Sequence, residues 1–511
     1  MHAPDTTTMK AWTSWTCGMS RGATRPASSH AKPRQVQESA RYEAMRQLWR
    51  VQHQGAYCAR MNHGGKGSQG ATYNAQERRR ITAIVHGATR QKKLLEHWID
   101  RYTKRNVDPT MHVVLQVALY ELHEGKVAEH ALVHAGVELA KQAVRKQAGS
   151  MANAVLRAAI RERDALGHMH LPEVPKDEED GIEAVQRRVA AWSIIHSHPT
   201  WMVQRWYQRY GMYECKRLLQ TNNQTHPSYG VRVANVDVLH AIPSSERTDA
   251  QQQATDGTAL LEACQRLGVQ ATPSTWFPNE FVRVERGLQK LLEAGAVREG
   301  GCAVQDEAAA LAVAAMDPVP GDRVLDACAA PGGKALLAAR RLKGQGSVTA
   351  VDVSAKKLRA LVHAAEIQGV NQVVNTVASD FLSLPIPSVP YDKVLVDAPC
   401  SGTGVLAKRA DLRWRRQEDD IPRMAELQRA LLSHASRMVG VNGILVYSTC
   451  SLEPEENEKV VDAFLQQNSG FMLDPVPVEL PSLQVSTGIL ASLPHRHGSD
   501  GAFVARMKRV A

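Results

Sequence analysis

"DRVLDACAAPGGKALLAARRL", residues 322–342, decides the fold. An apolar run ends on Asp326. A turn of small residues with Pro331, Gly332 and Gly333 follows, and then an alanine-rich helix. Glycines let a ligand approach the backbone, and the start of a helix offers unpaired N–H groups to a carboxylate or phosphate. The pattern is a strand, a nucleotide-cofactor turn and a helix. The spacing G-x-G-x-x-G is absent, which argues against a dinucleotide-dependent oxidoreductase.

The same pattern repeats downstream. "SVTAVDVS" (347–354) ends in Asp352 about 18 residues after the glycines, where an acid can accept hydrogen bonds from ribose hydroxyls. "VVNTVASDF" (373–381) supplies Asp380, and "YDKVLVDAPC" (391–400) supplies Asp397. A single acid after a strand is usually a turn residue or cap. Four in succession, with helical segments such as "SAKKLRALVHAAEIQG" between them, predict one carboxyl edge of a parallel sheet, where open α/β folds bind ligands.

Two cysteines lie just beyond such strands, Cys400 in "VLVDAPCSGTG" (394–404) and Cys450 in "LVYSTCSLEPEEN" (445–457). Lys334 and the Ser-Gly-Thr-Gly turn are candidate sources of the positive field that lowers a thiol's pKa. The eight cysteines contain no C-x-x-C pair, which speaks against a disulfide framework and a zinc site and fits a reducing compartment. Cys215 and Cys264 read as small buried hydrophobes.

At 511 residues the chain is long enough for about three domains. No apolar run approaches a membrane span. Residues 1–90 hold 14 Lys and Arg against 4 Asp and Glu, which accounts for the whole net charge of +10. Residues 1–36, rich in Ser, Thr and Arg, suit a transit peptide for a plastid or mitochondrion; without one the expectation is cytoplasmic. "MNHGGKGSQGATYN" reads as linker, so residues 1–74 are expected to be a basic flexible extension. Residues 75–170 carry apolar residues at three- and four-residue spacing and predict about five helices. Residues 171–300 begin with a polar linker (171–181). A helix follows, with Ser197 as its N-cap and Trp201, Trp206 and Tyr207 as core, and then a small α/β module. Residues 301–511 form the cofactor domain.

"LYELHEGKVAEHALVHAGVELAKQ" (119–142) and "AGSMANAVLRAAIR" (148–161) resemble the NusB-type RNA-binding helical domain. Lys141, Arg145, Lys146 and Arg157 there read as a solvated face or as phosphate contacts. "DACAAPGGK", "DVS", "ASDF" and "DAPCSGTG", with the lead-in "VQDEAAALAV" and the closing "HGSDGAFVARMKR", resemble the catalytic domain of RNA cytosine-C5 methyltransferases. Together they resemble the RsmB/Fmu/Sun-type family acting on small-subunit ribosomal RNA. The implied architecture is an all-α NusB-like bundle, a small α/β module and a Rossmann-like class I methyltransferase domain that uses S-adenosylmethionine.

The resemblance implies that Cys328, Ala329, Ala330, Pro331, Gly332, Gly333 and Lys334 cradle the methionine part of the cofactor. It places Asp352 at the ribose, Asp380 near the adenine and Asp397 between cofactor and target base. C5 of cytosine is a weak nucleophile, and a thiolate adding at C6 activates it; a second group then helps the enzyme leave. Residue chemistry does not say which cysteine does which. The resemblance assigns addition to Cys450 and release to Cys400, with Asp397 and Lys334 in support. Arg409, Arg413, Arg415 and Arg416 in "KRADLRWRRQEDDIPRM" (408–424) are expected phosphate contacts, and Arg232 and Arg283 candidate substrate contacts. Where the family usually has His-Pro-Asp, this chain has Arg409-Ala410-Asp411. The expected partner is small-subunit ribosomal RNA, with no metal, no membrane and a monomeric state. The rival expectation is a catalytically idle RNA-binding assembly factor.

Overall fold

The computed structural model describes residues 39–58, 73–104, 106–179, 181–241 and 256–511. The transit-peptide expectation, and most of the linker at 62–74, lie outside them. Six helices open the described residues: α1 (Ala40–His53), α2 (Ala75–Arg90), α3 (Lys92–Tyr102), α4 (Pro109–Glu124), α5 (Glu129–Ala143) and α6 (Ala148–Leu166). Local chemistry sets their ends. Asn74 and Glu77 form a reciprocal capping box at α2. Asp108 accepts from the amides of Thr110 and Met111 ahead of Pro109, and α4 stops at Gly125, whose φ is 65°. Helix α4 is buried on almost every side and forms the axis of the bundle.

One expected boundary is corrected here. Residues 40–53, expected within the flexible extension, form α1, which buries Ala44, Met45 and Leu48 in the same core as α2–α6. Its apolar stripe is narrow and lies among charged residues, so composition hides it. Arg41 of α1 and Arg80 of α2 both pair with Glu121 of α4, at 2.6 and 2.5 Å.

Next come α7 (Ile182–Ile195) and α8 (Thr200–Asn222), the latter kinked at Gly211. Ser197 is not the N-cap of α8, a place taken by Pro199; its hydroxyl accepts from the amide of Lys93 at 2.8 Å, joining this segment to α3. Trp206 is buried, as expected for a core residue.

A small sheet follows, made of β1 (Tyr229–Val233), β2 (Gln270–Pro273), β3 (Phe281–Arg286) and β4 (Cys302–Val304), with α9 (Val236–Ala241), α10 (Asp256–Arg266) and α11 (Leu288–Glu293) between the strands. Its order is β2-β3-β1-β4 and every pairing is antiparallel. Because β4 pairs with β1, the module runs past the expected boundary at 300.

The remainder is one large α/β layer. Its elements are α12 (Glu307–Met316), β5 (Arg323–Asp326), α13 (Gly333–Arg341), β6 (Ser347–Asp352), α14 (Ala355–Ile367), β7 (Val374–Ala378), β8 (Tyr391–Asp397), α15 (Leu412–Arg415), α16 (Asp420–Ser436), β9 (Val439–Thr449), α17 (Glu458–Gln467), β10 (Phe471–Leu473), β11 (Gln484–Ser486), β12 (Ile489–Ser492), α18 (Pro494–His497) and β13 (Ala502–Arg509). The sheet order is β11-β12-β13-β9-β8-β5-β6-β7, with β10 on β13. Strands β9, β8, β5, β6 and β7 are mutually parallel, whereas β13 runs antiparallel to β9. Alternation along each strand serves two cores. Val324 and Leu395 face α12, α13 and α14, while Leu325, Val394 and Val396 face α16 and α17.

Arg413 ties the helical half to this layer from a fully buried position. Its guanidinium donates to the carbonyls of Ser197 and Asn222, both at 3.0 Å, and to the Asn223 side chain at 2.9 Å. Arg413→Ala leaves those acceptors buried without a donor and is expected to cost about 3 kcal/mol. The fall in denaturant midpoint measures it; an unchanged midpoint contradicts this account of the junction.

Candidate active site

The acids predicted to share one edge do so. Asp326, Asp352 and Asp397 are the last residues of β5, β6 and β8, and Asp380 lies two residues beyond β7. They do different work. Asp352 accepts from the amide of Ser354 at 2.8 Å and from that of Ala330 at 3.2 Å, so it staples the 328–333 turn to its own strand. Gly332 holds φ at 113°, and a Cβ there would press into the side chain of Leu361. Asp380 caps the turn that follows it through the amide of Leu382. Asp397 receives Lys334 at 2.7 Å on one oxygen and the Ser448 hydroxyl at 2.8 Å on the other.

Burial, reinforced by the charge of Asp397, pushes the carboxyl of Asp326 up to about 7. Burial opposes the charge on Lys334 too, but the Asp397 carboxylate outweighs it and raises the ammonium's pKa. Neither oxygen of Asp326 makes a hydrogen bond of standard geometry. A buried acid in that state, beside an open helix N-terminus at Gly333 and the carboxylates of Asp352 and Asp397, fits a ligand with a positive centre, hydroxyls and a carboxylate. S-adenosylmethionine has all three.

The cysteines meet because β8 and β9 are parallel neighbours, with Asp397 opposite Ser448. Three residues beyond one and two beyond the other, Cys400 and Cys450 have their sulfurs 3.3 Å apart. The hydrogen bond from Cys400 lowers the pKa of Cys450, assisted by the charge of Lys334 and opposed by burial and Asp397. That same bond, together with burial, raises Cys400. The pair is therefore polarised, Cys450 being the thiol that gives up its proton more readily.

Of the two expected sources of positive field, Lys334 is one whose charge lowers the Cys450 pKa. The Ser-Gly-Thr-Gly turn is used for shape instead. The amide of Gly404 donates to the carbonyl of Cys450 at 2.9 Å and that of Gly501 to Gly404 at 2.8 Å. A Cβ on Gly404 would lie 2.8 Å from the Cys450 carbonyl oxygen and from Gly501 Cα. Lys408, paired with Asp306 and with Asp500 at 3.2 Å, locks the Asp-Gly segment against the start of α12.

Glu456 was legible only as part of the "EPEEN" run, and it is central. Fully buried, it accepts the amide of Ser401 at 2.8 Å, the Ser401 hydroxyl, the Ser451 hydroxyl at 2.5 Å and Gln428 at 3.0 Å. One carboxylate thus holds the residue after each cysteine. Helix α8 supports the same loop, since Trp206 and Arg205 donate to Glu453 at 3.0 and 2.9 Å.

Other expected sites differ. Arg232 is buried on Gln305, Gln368 and the Val233 carbonyl, which withdraws it from any substrate, and Arg283 is half-buried and pairs with Glu307. Arg413 is fully buried and so is no phosphate contact, whereas Arg415 and Arg416 are half-buried and donate to backbone carbonyls of this chain, and Arg409 is exposed. Lys141, Arg145, Lys146 and Arg157 lie on the exposed face of the helical domain. Burial pushes Cys58, Cys215, Cys264 and Cys302 up to about 12, and Cys328 well above its ordinary value, which leaves them unreactive. Among the described residues no cluster of His, Cys, Asp and Glu could hold a metal, and no helix is long and apolar enough to cross a membrane.

Comparison with known proteins agrees with this geometry. Residues 313–508 match the family model "16S rRNA methyltransferase RsmB/F", and residues 38–161 match the NusB family. The chain is 30% identical over 442 residues to the probable ribosomal RNA small subunit methyltransferase B of Bacillus subtilis, covering 85% of this chain and 91% of that protein. Among solved structures, PH0851 superposes with a TM-score of 0.71 at 24% identity, covering 94% of this chain and all of that one. NSun6 from Pyrococcus horikoshii, solved with the S-adenosylmethionine analogue SFG, gives a TM-score of 0.52 at 20% identity over 62% of this chain and all of its own. With both domains present in order and that identity spanning most of a relative's length, the chain belongs to the RsmB/F family of S-adenosylmethionine-dependent 16S rRNA methyltransferases.

Proposed function

We propose that the chain methylates C5 of a cytosine in small-subunit, 16S-type ribosomal RNA through a covalent bond between Cys450 and C6. The observation that carries this is the polarised sulfur pair, 3.3 Å apart, at the sheet edge that bears the cofactor acids. S-adenosylmethionine supplies an electrophilic methyl group held on a sulfonium. The residues of the 328–334 turn, with Asp352 and Asp380, would hold it.

Cys450 attacks as thiolate, a form that its lowered pKa favours. Addition to C6 pushes an electron pair onto C5, which becomes the carbon nucleophile that takes the methyl group. The C5 proton is then lost to a base, the C5–C6 double bond re-forms, and Cys450 departs as thiolate. Cys400, kept protonated, can donate its S–H to that departing sulfur, which lies 3.3 Å away in the resting pair. Asp397 is fixed by Lys334 and Ser448, and the family resemblance implies that it would face both the cofactor and the target base. A stacked cytosine hides C6, so the base must be unpaired or splayed out before attack.

Methyl transfer from labelled S-adenosylmethionine to small-subunit RNA tests the proposal, and an idle assembly factor would give no incorporation. Cys450→Ala is expected to lower the rate by about 10³-fold or more. Cys400→Ala is expected to methylate once and remain joined to RNA as an adduct that survives denaturant; a freely released product contradicts its role. The pH profile is a separate check. Lys334 favours the Cys450 thiolate, so Lys334→Ala should move the acid limb of the rate profile to higher pH. An unmoved limb would show that the lysine charge does not act on the nucleophile.

A further inference from the structure

Residues 413–416, Arg-Trp-Arg-Arg, make four successive attachments, each to a different part of the fold. Arg413 holds the α7–α8 connection. Trp414 donates to the carbonyl of Thr89 in α2 at 2.7 Å. Arg415 donates to the carbonyl of Gly55, just past α1, at 3.1 Å, and to that of Ala56, while its guanidinium lies 4.3 Å from the Tyr57 ring centroid. Arg416 turns the other way, donating to the carbonyl of Ser401 at 2.8 Å and to that of Cys400 at 3.3 Å.

The Cys400 carbonyl and the Ser401 amide belong to one peptide unit. Arg416 grips its oxygen and Glu456 its N–H, so a cation and an anion sit at the matching ends of one peptide dipole. This fixes the plane from which the Cα–Cβ bond of Cys400 projects, and hence where its sulfur points. Glu456 also serves the Cys450 side through Ser451, whereas Arg416 makes no hydrogen bond there. Its side-chain hydrogen bonds are confined to the Cys400 loop, and it bears on Cys450 only through the contact between the two sulfurs.

We propose that Arg416 is a positioning residue for Cys400, and that the 412–416 turn makes the N-terminal helical domain part of the release machinery. This rests on the reading of Cys400 as the release thiol. The positively charged turn is thereby a mechanical link from the helical bundle to one sulfur atom. A misplacement of about 1 Å at a reacting group can cost about 10²-fold in rate.

The test separates methyl transfer from release in the full-length protein, with small-subunit RNA and S-adenosylmethionine. Single-turnover transfer, steady-state kcat and KM, and the denaturant-resistant adduct fraction are measured above the acid limb of the pH profile. Arg416→Ala is expected to keep single-turnover transfer within about 3-fold and KM within about 2-fold of the wild type, while kcat falls about 10- to 100-fold and adduct accumulates. Arg416→Lys, which keeps the charge but not the two-pronged grip, should recover part of the loss and guards against a folding artefact. Arg415→Ala, remote from the sulfurs, should show the same imbalance in smaller measure. Arg298→Ala, an exposed residue paired only with Glu299, should match the wild type. Equal losses in transfer and release, or wild-type release, overturn the proposal. If Cys400→Ala forms no adduct in the same experiment, the assignment of the release thiol fails first and the proposal falls with it.

Discussion

Two sulfur atoms lie in hydrogen-bonding contact while differing in acidity, and most of the catalytic half is arranged around that pair. A free pair of thiols would titrate alike. Here the two sulfurs lie 3.3 Å apart, and the charge of Lys334 favours the thiolate of Cys450. The lysine in turn needs Asp397 to remain charged in a buried place, and Asp397 needs Ser448 to orient it. Each interaction is modest alone, and together they form one chain from strand β8 to strand β9. Register is what makes it possible, because a slip of one residue between the strands would turn these side chains to the opposite face.

Holding the loops that carry the sulfurs is a separate problem, since loops have no ladder of their own. Glu456 solves it with a buried carboxylate that gathers donors from both loops, and the close backbone pairing at Gly404 and Gly501 removes the remaining freedom. A buried carboxylate is costly unless its lone pairs are used, and here four donors use them. The helical half contributes from outside, through Arg205 and Trp206 on the Cys450 loop and the 413–416 turn on the Cys400 loop.

What could be seen in the sequence follows from range. Apolar runs that end in Asp326, Asp352 and Asp397 are local patterns, and the parallel edge they predict is present. Cys400 and Cys450 stood out because each follows such a run. Glu456 and Arg416 act on groups whose identity depends on tertiary contacts, and nothing local distinguishes Glu456 from Glu455 or Arg416 from Arg409. The arginine run looked like a phosphate-binding strip because charge pattern does not reveal which side of a turn faces protein. Arg413 shows the size of that error, as it is buried completely. Helix α1 is hidden for the opposite reason, since polar residues surround its narrow buried stripe.

The most direct measurement uses small-subunit RNA in which the target cytosine carries fluorine at C5. Fluorine cannot leave as a proton does, so the reaction should stop with protein and RNA joined after methyl transfer. Peptide mass spectrometry of the trapped complex is predicted to find the methylated, fluorinated nucleotide on the peptide containing Cys450. A nucleotide on Cys400, or methylation of ordinary RNA at the full rate with no trapped species from the fluorinated one, would contradict the account.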